Sequence, residues 1–306
     1  MIKMNIEIRK ETERDYFETE KMVRESFFNK YQPGCNEHYM VHVMRSHETF
    51  LPELSRIAVV DGKIAGVIMY FESKIKKADG GEVKIASFGP LGVSREYRTL
   101  GIGKKLMAET LPLAKAAGYP GVLIIGEPEY YPKVGFIRCK ECGITDAEGN
   151  AWDPYMVYEF EKGSMHIPGI MEEPYDITDG IPPVPPSDYE NQFEKWNRAS
   201  LPCQFAYPNP SDENNGYHLK REEEKPSEFD AFFAKLENEN GVRGETIRKC
   251  RTNHGFIIGN GNRGVGMCVI SSAAEKPVLT HIWLEEEFRG KGIEENIKKT
   301  LENQNM

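Results

Sequence analysis

The sequence predicts an α/β fold, a mixed sheet with helices on its faces, followed by a second and smaller unit that reuses part of the same pattern. Three observations carry this reading. Strand-period and helix-period segments alternate through residues 1–162; a glycine-containing turn joins a strand to a helix at residues 88–106; and a proline-rich stretch precedes a region in which that strand, turn and helix recur. At roughly 100–200 residues per domain, the 306-residue chain is expected to divide as residues 1–162, a linker at 163–188 and a second domain at 189–306.

Residues 4–9 alternate apolar and polar side chains, the period of a half-buried strand, and Thr12 with Asp15 three positions on gives a helix-start signal. Residues 55–60 and 63–71 read as two strands joined by Asp61-Gly62, a two-residue loop in which Gly62 tolerates positive φ. A third strand is expected over residues 83–93. Gly89-Pro90 in its middle removes a ladder donor and loosens the backbone, so the strand should bulge or splay there. Residues 101–117 place Ile102, Leu106, Leu113 and Ala117 at helical spacing, with Gly118 as a stop and Pro112 as the place for a kink or early end. Residues 121–125 are wholly apolar, as in a strand covered on both faces. A short helix over residues 129–134 and strands near Phe136 and at 155–160 complete the mixed sheet.

Lys plus Arg number 39 and Asp plus Glu 48, a net charge of −9 that speaks against a nucleic-acid phosphate surface and suits cationic small-molecule or peptide partners. The opening lacks the apolar core of roughly 7–15 residues of an export signal, and no run approaches the ~18–20 apolar residues of a membrane span. A soluble, cytoplasmic protein with no membrane partner is expected. The six cysteines, Cys35, Cys139, Cys142, Cys203, Cys250 and Cys268, are expected as reduced thiols. Cys139 and Cys142 form a Cys-x-x-Cys pair, but tetrahedral zinc takes four ligands and no second pair stands near it, so no metal is expected. Residues 163–187, with Ile-Pro-Pro-Val-Pro-Pro at 181–186, read as an extended connector or as a proline-rich ligand for a recognition domain.

The chemistry lies in residues 88–106, which hold Arg98-x-x-Gly101-x-Gly103 between a strand and a helix start. Glycines let successive N–H groups point at one spot, and a helix beginning there adds its positive dipole end, which together make a pyrophosphate cradle. Arg98, Lys104 and Lys105 add positive charge. A helix-capping turn with no ligand would use the same residues.

With these residues assembled, residues 4–162 resemble the GNAT superfamily of acyl-CoA N-acyltransferases, whose signature is Gln/Arg-x-x-Gly-x-Gly/Ala after a bulged strand. Ser-Phe-Gly-Pro-Leu-Gly-Val at 87–93 and Gly-Glu-Pro-Glu-Tyr-Tyr-Pro-Lys-Val-Gly-Phe at 126–136 are similar to a branch of small bacterial-type enzymes of that family. The resemblance implies the GNAT fold, acetyl-CoA as cosubstrate and an N-acetyltransferase acting on a primary amine by direct attack in a ternary complex. It implies that backbone groups of Leu91 and Val93, with Gly92 between them, pair with the pantetheine arm. It also implies that the turn through Arg98, Thr99, Leu100, Gly101, Ile102, Gly103 and Lys104 holds the pyrophosphate, and that Tyr131 sits near the CoA sulfur.

Acetyl transfer needs a neutral amine, a thioester within reach and a proton for the leaving thiolate. Tyr131 could give that proton, or it could be a core aromatic beside Tyr130. The base stays open among Glu127, Glu72, Glu82 and His38, with Glu127 preferred because it ends the strand flanking the bulged one. An amine arriving neutral needs no dedicated base. Two rival readings are a non-catalytic acyl-CoA sensor or scaffold and a nucleotide-binding turn, although neither a Gly-x-x-x-x-Gly-Lys-Ser/Thr loop nor a Rossmann glycine pattern after a first strand is present.

The motif recurs at residues 278–294, where Arg289-x-x-Gly292 follows Arg98-x-x-Gly101 by 191 residues (289 less 98). Residues 255–270 mirror the first hairpin, with Asn260-Gly261 as the turn. Only 17 residues follow Arg289, so counterparts of the last three strands and one helix are missing, and Glu294 stands where the pattern wants Gly or Ala. A truncated GNAT-like module that does not bind CoA is expected, with a role in covering a sheet edge, shaping the acceptor site or forming a homodimer. The acidic run Arg-Glu-Glu-Glu-Lys-Pro-Ser-Glu-Phe-Asp at 221–230 could steer a cationic acceptor.

Overall fold

The computed structural model describes residues 5–98, 100–199, 217–221, 226–240, 253–260, 263–271, 278–290 and 292–303. The chain forms two compact units, one from Met1–Ser26 with Asn36–Pro186 and the other from Phe27–Cys35 with Ser187–Met306.

The first unit opens with β1 (Ile6–Arg9), α1 (Tyr16–Phe27) and α2 (Glu37–Met44). The Asp15 carboxylate accepts the Thr12 N–H at 2.8 Å, as the helix-start signal requires, and both nitrogens of the Arg9 fork at 2.7 Å. Those Arg9 hydrogen bonds hold it well below the usual carboxylate range. Arg45, just after α2, lies over the Tyr16 ring at 4.0 Å and bonds Glu11 at 2.8 Å and also Glu20. Burial works against the Arg45 charge, and the two carboxylates more than offset it.

The strand sequence continues with β2 (Arg56–Val60), β3 (Lys63–Lys77) and β4 (Glu82–Val93), then α3 (Ile102–Ala116), β5 (Gly121–Ile125), β6 (Ile137–Arg138), α4 (Cys139–Cys142), β7 (Ile144–Thr145), β8 (Tyr155–Glu159) and β9 (Gly169–Glu172). The sheet runs β1-β2-β3-β4-β5-β8-β6, with β9 on the far end of β3 and β7 on β9. Only β4–β5 and β7–β9 are parallel, so the sheet is mixed, as expected. In the β2–β3 turn Asp61 and Gly62 take φ of 48° and 82°, the pair of positive values that a two-residue hairpin demands.

Helix α3 packs on one face of the sheet, where Ile102 and Leu106 bury against Ile68, Tyr70, Phe88 and Ile124. The approach is close: a β-carbon on Gly66 of β3 would lie 2.8 Å from Ile102 Cγ2. Tyr70 and Thr110 join across the interface by a 2.9 Å hydroxyl–hydroxyl bond. The helix continues through Pro112 to Ala116, so the early end allowed for at that proline does not occur.

Part of the segment expected to be a connector is structured. β9 pairs with β3 from Lys77↔Gly169 to Lys74↔Glu172, and Ile177 and Ile181 are buried. Apolar residues between the turns, among them Ile170 and Met171, provide the strand; proline content masked it in the sequence.

The second unit contains α5 (Ser187–Glu190), β10 (Tyr217–Arg221), α6 (Pro226–Asn240), β11 (Asn253–Asn260), β12 (Arg263–Ser271), β13 (Val278–Leu284) and α7 (Ile293–Asn303). Its antiparallel sheet runs β10-β11-β12-β13. Strand alternation separates two cores, with Ile257, Met267 and Trp283 against Phe229, Phe232 and Phe233 of α6, and Phe256, Ile258 and Ile270 against Ile293, Ile297 and Leu301 of α7. Gly261 of the expected β11–β12 turn lies outside the described residues. The Phe27–Cys35 stretch joins this unit through Asn29, whose amide nitrogen donates to the Asn197 carbonyl at 3.0 Å and whose oxygen accepts from Ala199 N–H at 3.0 Å.

Cys35, Cys139, Cys142 and Cys268 are buried. Among the described residues, no helix is long and apolar enough to cross a membrane.

Candidate active site

The site begins with a fault in the sheet. Opposite Met69, between the pairs Ile68↔Leu91 and Tyr70↔Phe88, β4 carries two residues, Gly89 and Pro90, and so forms the bulge that this dipeptide predicts. On its other side β4 pairs with β5 only at Ala86↔Val122 and Ser87↔Leu123. Beyond Ser87 the two strands part, while β5 continues on β8 to Ile125.

The ladder decides which backbone groups face this opening. Ser94 N–H donates to the Ala65 carbonyl at 2.9 Å, so in the two-residue alternation of an antiparallel pair Gly92 also points at β3. Leu91 and Val93 therefore turn their N–H and C=O groups away from β3, toward the gap. One of these is partly engaged already, because the Val93 carbonyl accepts the hydroxyl of buried Ser26 from α1 at 3.1 Å.

A single 3-10 turn, Arg95–Tyr97, leads from β4 to Arg98, whose guanidinium donates to the Ser26 carbonyl at 3.4 Å. Thr99 lies outside the described residues. Leu100 packs on the core, and Gly101 adopts φ 72°, a left-handed conformation that glycine enters without strain, to start α3 at Ile102. Lys105 N–H makes a helical bond back to the Gly101 carbonyl, so the amides of Ile102, Gly103 and Lys104 precede any acceptor within the helix. The first turn of α3 holds no acidic residue, and Lys104 and Lys105 are exposed. These groups and the helix dipole make the turn attractive to an anion.

Gly103 faces the opening. A β-carbon built on it would lie 3.5 Å from Tyr130 Oη, 3.8 Å from Val93 Cγ2 and 3.9 Å from Leu91 Cδ2. The fold thus brings the strand edge, the helix start and the tyrosine loop to one place.

That loop leaves the end of β5 through Gly126 and Glu127. The Glu127 carbonyl accepts Tyr130 N–H at 3.0 Å and Tyr131 N–H at 3.2 Å, and the short 3-10 turn Tyr131–Val134 follows. The Tyr131 ring is wedged among Tyr130, Phe136 and Phe88, with centroids 5.1, 5.2 and 6.1 Å away. Gly126 leaves it room, since a β-carbon there would overlap the ring. Burial, then the neighbouring Tyr130, Glu127 and Tyr70, push the Tyr131 hydroxyl above its ordinary range, so it stays protonated. Burial also raises half-buried Tyr130. Sequence reasoning passed over Tyr130, yet its hydroxyl is the one beside Gly103. The doubled tyrosine was the available signal, because consecutive residues on a tight turn aim their side chains apart.

Half-buried Glu127 sits close enough to affect the Tyr131 hydroxyl. Two other base candidates are engaged elsewhere. The Glu72 carboxylate accepts Tyr119 O–H at 2.9 Å and Lys84 at 2.6 Å, and Glu82, at the opposite end of β4 from Val93, pairs with Lys74 at 3.0 Å. His38 is buried on α2, whose Met40 would lie 3.9 Å from a β-carbon on Gly89.

The sequence model of the acetyltransferase (GNAT) family matches residues 11–140 of the chain. An uncharacterized N-acetyltransferase of Escherichia coli, YjhQ, is 27% identical over 143 residues, which span 46% of this chain and 75% of that protein. A second, YhbS, is 28% identical over 116 residues, spanning 35% of this chain and 66% of its own length. Among solved structures, YhbS from Escherichia coli in complex with CoA is similar at 21% identity and a TM-score of 0.49, covering 56% of this chain and 91% of that one. A GNAT family acetyltransferase from Brucella melitensis in complex with acetyl-CoA is similar at 26% identity and a TM-score of 0.41, covering 51% and 89%.

Proposed function

We propose that the first unit is an acetyl-CoA-dependent N-acetyltransferase that moves an acetyl group to a primary amine by direct attack in a ternary complex. The observation that carries this reading is the parted β4–β5 edge, with Leu91 and Val93 turned into it beside the α3 start at Gly101 and Gly103. A pantetheine arm is an extended chain of amides, and it can pair with such an edge as a missing strand would. Its pyrophosphate then falls at the glycine turn, on the amides from Arg98 to Lys104.

In this reading Tyr131, kept protonated by burial, donates its proton to the CoA thiolate as the tetrahedral intermediate collapses. Glu127, at the end of β5, takes a proton from the amine directly or through water. Tyr130 lines the cradle through its hydroxyl near Gly103.

The second unit is proposed to be a truncated GNAT-like module without activity of its own. The same order of elements recurs there, with 3-10 turn Glu286–Phe288, Gly292 at φ 77° and α7, but Glu294 and Glu295 occupy the places of Gly103 and Lys104. Carboxylates in a first helical turn satisfy the dipole that would otherwise draw a phosphate.

The test is release of free CoA from acetyl-CoA, followed with a thiol reagent against a panel of primary amines. Amine-dependent release that falls in Tyr131→Phe supports the reading. Tight acetyl-CoA binding with no turnover on any amine would favour a sensor or scaffold.

A further inference from the structure

At the other end of β5 from the tyrosine loop, three side chains of different chemistry converge. Cys142 ends α4, Glu159 ends β8 opposite Gly121 at the start of β5, and His166 stands in the loop that follows. One ligand atom from each, a thiol sulfur, a carboxylate oxygen and an imidazole nitrogen, lies within 4.8 Å of the others. The five residues of β5, at ~3.3 Å each, separate this corner from Glu127.

We propose that Cys142, Glu159 and His166 form a binding site for a divalent transition ion of the zinc class, with solvent in the fourth position. Zinc binds sulfur, nitrogen and oxygen donors tetrahedrally, at roughly 2.0–2.3 Å from each, so ligand atoms already within 4.8 Å of one another need to close by only about 1 Å to hold it. A mixed thiolate, imidazole and carboxylate set excludes magnesium and calcium, which take oxygen donors.

The surrounding structure holds the three groups ready. Glu159 Oε1 accepts the Met165 N–H at 3.2 Å and faces His166 Nε2 at 3.9 Å, so its orientation is set by the loop that carries the histidine. That loop is pinned in turn by Ser164, whose hydroxyl donates to the Pro120 carbonyl at 2.6 Å, and by fully buried Met165. Cys142 is 3% exposed, whereas the His166 side chain is 58% exposed and opens the corner to solvent. Without an ion, burial and the Glu159 charge push the Cys142 thiol up to about 11. On binding, the S–H bond breaks, its proton leaves to solvent and a metal–sulfur bond forms, while neutral His166 and ionised Glu159 coordinate without losing a proton. The ion would tie α4, β8 and the following loop together, away from the acetyl-transfer chemistry.

The Cys139–Cys142 pair, at which the sequence leads us to expect no metal, is not the ligand pair here. Cys139 begins the single turn of α4 and lies outside the cluster of Cys142, Glu159 and His166.

The test uses cobalt(II) as the probe on the reduced full-length chain. The wild type should develop a thiolate-to-cobalt charge-transfer band saturating at one ion per chain and displaced by zinc, and zinc should raise its Tm. His166→Ala, an exposed position at which folding is retained, should weaken cobalt binding by roughly tenfold or more and abolish the zinc effect on Tm. Cys142→Ser should lose the charge-transfer band. Absence of the band in the wild type, or a band that survives His166→Ala, would overturn the proposal. Loss in Cys139→Ser with retention in His166→Ala would move the ion to the Cys-x-x-Cys pair and overturn it equally.

Discussion

Gly103→Glu isolates the anion cradle from the rest of the fold. A β-carbon at position 103 meets Tyr130 Oη, Val93 and Leu91 at 3.5–3.9 Å, ordinary contact distances, so the backbone accepts a side chain without distortion. The position is in the first turn of α3, where replacing glycine recovers about 0.8–1 kcal/mol of helix propensity and a carboxylate gains about 0.3–1 kcal/mol from the dipole. The variant should therefore be at least as stable as the wild type. Its carboxylate, however, competes for the amides proposed to hold the pyrophosphate. Two unit charges about 4 Å apart repel by about 1 kcal/mol at the dielectric of water and about 4 kcal/mol at an effective value of 20. At 1.4 kcal/mol per tenfold, acetyl-CoA affinity should fall by between roughly fivefold and a thousandfold. Equilibrium dialysis with labelled acetyl-CoA, paired with a thermal melt of the unliganded variant, reads both effects. Unchanged affinity in a folded variant would refute the assignment of the pyrophosphate to the α3 start.

Three further outcomes follow from named contacts. Tyr131→Phe should lower kcat with little change in acetyl-CoA affinity, whereas Tyr130→Phe should weaken affinity more than kcat, and steady-state kinetics with binding data separates the two. Arg45→Ala leaves Glu11 buried without its cation, removes one of the partners of Glu20, and should cost about 3–5 kcal/mol in urea unfolding. Glu173 is raised from 4.5 to about 7 by burial and by Asp179. Its folded pKa lies above its unfolded one, so its contribution to stability is complete below pH 4.5 and is lost as pH rises through about 7. Glu173→Gln should flatten the wild-type decline in stability across that window, measured by denaturant midpoints at successive pH values.

Features written in local backbone chemistry were legible in the sequence. Asp61-Gly62 specified its turn, Gly89-Pro90 the bulge and Gly101 the helix start, because each depends on the φ a residue tolerates or a donor it lacks. Features that depend on partners distant in sequence were not. That Ser26 reaches the Val93 carbonyl, that Tyr130 and not its neighbour lies beside Gly103, and that residues 169–172 pair with β3 all follow from tertiary packing. The assignment of Phe27–Cys35 to the second unit belongs with these, since Asn29 finds its partners at Asn197 and Ala199. Tyr131 belongs with these: the resemblance implied its place, whereas the aromatic packing that keeps its hydroxyl protonated comes from the fold.

The most direct test of the central claim is calorimetric titration of acetyl-CoA into the wild-type chain, read for stoichiometry. One site per chain is expected, because the proposal assigns the cradle to the strand edge and glycine turn of the first unit, while Glu294 and Glu295 put two carboxylates in the first turn of α7 in the second. No binding would contradict the acetyltransferase reading, and two sites would contradict the account of the second unit.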